Sequence, residues 1–219
     1  MSAGGMFATP PKQPAVRLVL ARHGEALGNR ELRYLGRTDA PLTPRGEAQA
    51  RLLATALSGI PAAAIYSSPL RRAHDTAEAI GAELGLGVAT DRALREQDFG
   101  AWENLTRAEV LARDRTRLAA WEGGADTAPE DGEAPYALRE RVVACANTLA
   151  ARHPGATIVL ASHVGPIKAL ICAALGLPPS GAFRMWLDPA SYSVVDWRPD
   201  GAGILRAFNA TAHLSDLEG

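Results

Sequence analysis

Two histidines and a set of arginines carry the chemistry open to this sequence. His23 lies in Arg22-His23-Gly24-Glu25, directly after a short apolar run at 16–21. His163 lies in Ser162-His163, directly after another run at 157–161. Between them, Ser67-Ser68-Pro69-Leu70-Arg71-Arg72 follows a third run at 63–66. A neutral imidazole with one free nitrogen is a nucleophile or base near neutral pH. A guanidinium offers a planar fork to the oxygens of an anion. Brought together, two imidazoles and two or three guanidinium groups suit a phosphoryl group. Taken singly, each residue has a plainer reading. Arg72 could pair with Asp75 or Glu78 on a helix surface. Glu96 could pair with Arg92 or Arg95, and His74, His153 and His213 read as structural.

Whether the cluster forms depends on the elements around it. The runs at 16–21, 63–66 and 157–161 have strand length and are bounded by turn residues, and a shorter strand is expected at 88–90. Thr43-Pro44 with Glu47 announces a helix to about Leu57. Ala73, Ala77, Ile80 and Leu84 recur at helical spacing over 71–84. Residues 105–121 read as one helix, 123–135 as a Gly/Pro/acid loop, and Leu138, Val142, Ala146 and Leu149 as one face of a further helix. The helix after His163 ends at Gly176 and Pro178. Residues 193–197 and 204–208 around a turn at 198–201 form a hairpin pattern. Strands alternating with helices predict an α/β fold: a mostly parallel central sheet, helices on both faces, and an antiparallel edge near the C-terminus. Ligands of such sheets bind beyond the carboxyl ends of the strands, where both histidines fall.

Composition narrows the function further. The 219 residues are 47% hydrophobic and 21% charged, enough for a substantial core. The 23 Lys+Arg against 24 Asp+Glu give a net charge of −1, so no global field favours nucleic acid or an acidic membrane. Lys12 and Lys168 are the only lysines, and the abundance of arginine by itself carries no functional meaning. No run approaches the length needed to span a bilayer. Residues 1–14 read as a flexible tail without a secretory signal, followed by one domain over 15–219, and the expected setting is cytoplasmic. Cys145 and Cys172 read as buried free thiols rather than a disulfide. Neither a metal-ligand spacing nor a nucleotide-binding glycine motif is present, so no metal and no cofactor is expected.

The combined motifs are more specific than their parts. Arg22-His23-Gly24-Glu25 with Asn29 resembles the RHGExxxN signature of the histidine phosphatase superfamily, also called the phosphoglycerate mutase-like family. Gly36 to Thr43 is similar to its GxxDxPLT stretch, and Ser67 to Ala77 to SSPLxRAxxTA. Leu94 to Glu103 is similar to LxExxFGxWE, Gly132-Glu133 to the start of GES, and Ser162-His163 to the second histidine motif. Asn209 to Leu214 resembles the closing segment. The resemblance implies that His23 is the nucleophile and that Arg22, Arg72 and His163 hold the phosphoryl oxygens. It further implies that Asn29 adds a neutral donor and that Glu96 is the proton donor. Gly36 and the backbone of Val164 are expected at the substrate.

Three departures bear on the reaction. Residues 104–135 lack the Arg-Tyr-Gly-rich insertion of the family's mutases, and Leu35-Gly36 stands where mutases tend to have Thr-Gly. Both favour a phosphatase over a mutase. Val164 replaces a common glycine after the second histidine, and the stretch to Lys168 resembles the α-ribazole phosphatase-like and acid phosphatase branch. The expected partner is a small phosphorylated metabolite, such as a phosphosugar or α-ribazole phosphate-like compound. Edge strands would permit a homodimer. A phospho-ligand-binding protein on an inactive phosphatase fold is the competing class. Arg30, Arg33, Tyr34, Arg37 and the cap-like 104–135 segment with Trp121 are candidates for specificity, whereas Trp102 and Trp186 read as core.

Overall fold

The structure, a computed structural model, describes residues 15–198 and 203–217. The expected tail over 1–14 and the turn at 199–201 lie outside the described residues. Six strands form one sheet: β1 (Val16–Arg22), β2 (Ala62–Ser67), β3 (Val88–Thr90), β4 (Thr157–Ser162), β5 (Tyr192–Trp197) and β6 (Ile204–Ala210). Their order is β3-β2-β4-β1-β5-β6. The first four run parallel, and β5 and β6 add antiparallel pairings at the β1 edge.

Alternation along the central strands builds two cores. Leu18 and Leu20 of β1 and Ile158 and Leu160 of β4 face α5 (Pro135–Arg152) and α6 (Val164–Ala174). Val19, Ala21, Val159 and Ala161 face the other way, onto α1 (Pro44–Leu57) and α2 (Arg71–Leu84). Strands buried on both faces read as continuous apolar runs, which is why these segments stand out in the sequence. The carboxyl ends of β1 and β4 are in register, Arg22 opposite Ser162, so His23 and His163 emerge side by side.

The start of α1 also serves this edge. Thr43 caps it by accepting from the Gly46 N–H at 3.0 Å. A Cβ on Gly24 or Gly46 would run into the opposing backbone, so both glycines are needed for the helix to pack against the turn after His23.

The expected single helix over 105–121 is two: α3 (Arg107–Arg113), opened by a capping box of Thr106 and Glu109, and α4 (Arg115–Glu122). The break is Asp114, whose backbone leaves the helical region. Its carboxylate accepts from the Trp102 indole N–H at 3.1 Å and pairs with Arg117. Leu118, Val110 and buried Trp102 form a separate small core here. Cys145 and Cys172 are buried and free, as read from the sequence.

Candidate active site

A cleft of about 310 Å³ lies at the carboxyl edge of the sheet, lined by Arg22, His23, Asn29, Gly36, Arg72, Glu96 and Val164 together. Arg22 ends β1, Arg72 sits in the first turn of α2, and His163 immediately precedes α6. The sequence-predicted residues therefore converge. His163 completes the group, its ring centroid 5.1 Å from that of His23.

Each floor residue is fixed through one part and left free at another. His23 Nδ1 lies 2.7 Å from the Gly24 carbonyl, which can only accept, so the proton resides on Nδ1 and Nε2 carries the lone pair. Burial, reinforced by Arg72 and Arg22, holds His23 well below its ordinary value and keeps it neutral. His163 is held down likewise, by burial first and then by Arg72, His23 and Arg22. Its Nε2 lies 2.8 Å from Ser68 Oγ.

The arginines are anchored on carbonyls. Arg22 Nη1 donates to Leu187 O. Arg72, only 1% exposed, donates from Nη1 to Thr38 O at 2.7 Å and from Nη2 to Gly36 O at 2.9 Å. The helix-surface pairing with Asp75 or Glu78 is absent. Burial lowers Arg22 to about 10 against the opposing pull of Glu96 and Asp188, which leaves it charged at neutral pH. Arg22 Nε, Arg72 Nε and His163 Nδ1 are all buried without a hydrogen-bond partner among the described residues. A buried guanidinium N–H without an acceptor is costly, and an anion on the floor of the cleft would supply acceptors.

Gly36 has φ +43°, and a Cβ there would collide with the Glu103 carboxylate. That carboxylate accepts from the N–H groups of Arg37 and Thr38, shaping the loop whose carbonyls grip Arg72. Asn29 Oδ1 accepts from the Ala26 N–H, which leaves its amide nitrogen as the group that can serve an anion. Val164 opens α6 directly after His163, so the positive end of that helix borders the cleft.

Glu96 is 8% exposed and makes no pair with Arg92 or Arg95. Its carboxyl accepts from the N–H groups of Gln97 at 2.7 Å and Gly165 at 3.0 Å. Behind it, Arg141 donates to Ala93 O and Glu96 O and makes a two-point contact with Glu133, at 2.6 and 2.7 Å.

Sequence reasoning missed several supporting groups. Ser68, Glu103 and Glu133 sit inside recognised motif stretches but were assigned no role. Thr76 links the motif stretch of His23 to that of Arg72, accepting from Gly24 N–H and donating to Arg72 O. Arg141, inside a helix of an arginine-rich chain, carries no local signal. Trp186 is a correction: expected in the core, it is 65% exposed at the rim of the cleft, its indole N–H bonded to Asp188. Trp102 is core, as read. Of the specificity candidates, Arg33, Tyr34 and Trp121 line the cleft. Arg30 pairs with Glu25, and Arg37 with Asp98 and Glu133, away from its lining. His74, His153 and His213 have local partners in Glu78, the Tyr66 hydroxyl and Ala190 O.

Among the described residues no three His, Cys, Asp or Glu side chains are grouped to hold a metal ion. No described helix is long and apolar enough to cross a membrane.

Known proteins extend this picture. The chain is 34% identical over 203 residues to phosphoserine phosphatase 1 of Hydrogenobacter thermophilus, covering 92% of this chain and 96% of that protein. It is 31% identical over 198 residues to the adenosylcobalamin/α-ribazole phosphatase of Escherichia coli, covering 90% and 97%. A solved mycobacterial glucosyl-3-phosphoglycerate phosphatase in complex with VO3 superposes with a TM-score of 0.82 at 33% identity, covering 89% of this chain and 99% of that one. A bifunctional protein of Mycobacterium tuberculosis is 38% identical over 201 residues, and the chain spans only 55% of its length. The family model of the histidine phosphatase superfamily (branch 1) matches residues 18–210. The chain belongs to the histidine phosphatase superfamily.

Proposed function

We propose that this chain is a metal-independent phosphomonoester hydrolase that works on a small phosphorylated metabolite through a phosphohistidine on His23. The observation that carries the reading is the convergence of Arg22, His23, Arg72 and Glu96 on one cleft, with the His163 ring 5.1 Å from that of His23 and His23 Nδ1 tied to a carbonyl.

In the first step His23 Nε2 attacks phosphorus in line. A P–N bond forms as the P–O bond to the leaving group breaks. Glu96 gives its proton to the departing oxygen. Arg22, Arg72, His163 and the Asn29 amide hold the other oxygens, where charge is spread in the transition state. The Ser68 hydroxyl donates to His163 Nε2, which turns His163 Nδ1–H toward the phosphoryl group. In the second step Glu96 takes a proton from water, the water oxygen bonds to phosphorus, and the P–N bond breaks to release orthophosphate and neutral His23. The exposed rim at Trp186 and Leu32 supports hydrolysis, since a mutase must exclude that water.

The named relatives support a phosphosugar or α-ribazole phosphate-like substrate. The two buried free thiols fit a reducing cytoplasmic setting. The test is hydrolysis of p-nitrophenyl phosphate with EDTA present, beside a 3-phosphoglycerate mutase assay. Phosphate release that EDTA leaves intact, without mutase activity, is expected. Metal-dependent release, or mutase turnover, overturns the reading.

A further inference from the structure

Beside the cleft over His23 lies a second cavity of about 240 Å³, and Glu96, Trp121 and Val164 line both. With the phosphoryl group on the floor and Glu96 at the departing oxygen, a leaving group that extends past Glu96 enters this space. Its walls are mainly rings and aliphatic groups, among them Phe99, Phe183 and Leu138. Such walls favour an apolar body.

The polar groups of this cavity are unevenly matched. Glu122 is held at both oxygens by Arg107, at 2.6 and 2.7 Å. The Gln97 amide donates to Glu133 O. Besides the Tyr34 hydroxyl, which can donate or accept, two groups that only donate are left. The Trp121 indole N–H is buried with no hydrogen-bond partner among the described residues. Lys168, one turn beyond Val164 on α6 and half-buried, has neither a hydrogen bond nor an ion pair there. Burial pulls its ammonium below the ordinary value, and Glu96 offsets this only in part. A cation kept among apolar walls is costly until an anion joins it.

We infer that Lys168 and Trp121 form a subsite for a carboxylate on the leaving group, so that the chain prefers phosphomonoesters with an apolar body and a carboxylate end. The inference rests on the phosphatase reading above. It narrows the substrate from any small phosphoester to an anionic one.

The probes are 3- and 4-carboxyphenyl phosphate, each paired with its methyl ester, with p-nitrophenyl phosphate as reference. For wild type, kcat/KM is expected to favour the better carboxylate over its methyl ester by about tenfold or more. The gain should lie mainly in KM. In Lys168→Met that ratio should fall to about one, and in Trp121→Phe to an intermediate value. Turnover of both members of each pair without preference overturns the subsite, as does a preference that survives Lys168→Met. An equal loss on acid and ester in Lys168→Met would mean that the lysine acts through Glu96, which also overturns it. Failure to hydrolyse even p-nitrophenyl phosphate is a different result: it removes the phosphatase reading and the subsite with it.

Discussion

The floor of the cleft and its wall are built on opposite rules. On the floor, Arg22, His23, Arg72 and His163 stand at strand ends or a helix start, and each is tied by a backbone carbonyl or a buried hydroxyl. Arg22, Arg72 and His163 each keep a buried nitrogen without a partner among the described residues, and His23 keeps Nε2 free. The wall is an interlocked set of rings, with Tyr34 and Phe99 centroids 4.9 Å apart and Trp121 and Phe183 4.7 Å apart. Much of it comes from short helices and loops with their own small core rather than from the sheet. On the proposed function, the reaction belongs to the sheet edge and the choice of substrate to the aromatic wall.

Substitutions on the floor should damage the rate, and those on the wall should alter selection. The largest effect belongs to His23→Ala, which is expected to lower kcat by at least about 10³-fold while orthophosphate binding persists. Steady-state assays with a binding titration check this, and near-normal turnover would remove His23 from its role. Glu96→Gln should cost about 10² to 10⁴-fold in kcat/KM on an alkyl phosphate and far less on p-nitrophenyl phosphate, whose leaving group needs no proton; the water step, where Glu96 is the base, lies beyond kcat/KM. An equal loss on both would show that Glu96 is no acid.

The floor should also make stability pH-sensitive. His23 and His163 are held well below the ordinary 6.5, so the unfolded chain takes up protons there that the folded chain refuses. Stability is therefore full above that pH and falls as the pH drops. The slope approaches about 1.4 kcal/mol per pH unit for each histidine. Equilibrium denaturation at several pH values should show a shallower slope in His23→Gln.

Smaller effects mark the boundary between floor and wall. Arg141→Met removes the contacts to Glu133, Ala93 O and Glu96 O. It should lower kcat/KM on alkyl phosphates about tenfold, with that on p-nitrophenyl phosphate nearly spared, since Arg141 acts by placing the acid. Loss of the alkyl-to-aryl difference would reduce it to a structural tie. Trp186→Ala, at the rim, should raise KM about threefold for a bulky ester and leave kcat unchanged. A fall in kcat would draw Trp186 into the floor.

How much could be read in advance follows the same division. Strands β1 and β4 were visible because burial on both faces removes polar residues from them. The motif residues at their ends were visible because phosphoryl chemistry restricts residue type. Asp114 broke a helix that its neighbours' spacing supported, through a bond to Trp102 that only tertiary contact supplies. Trp186 was misread because a large aromatic side chain is usually core, whereas here it is carried to the rim by the segment whose Leu187 carbonyl holds Arg22. Arg141 was invisible because its partners lie 8 to 48 residues away along the chain. Long-range positioning leaves no local pattern.

The most direct test of the central claim is to trap the enzyme during turnover of p-nitrophenyl phosphate under alkaline quench and map the modified peptide by mass spectrometry. The account predicts one added phosphoryl group, on His23, appearing within a turnover and absent from His23→Ala. Sustained hydrolysis with no phosphoryl group on His23, or with one on another residue, would contradict it.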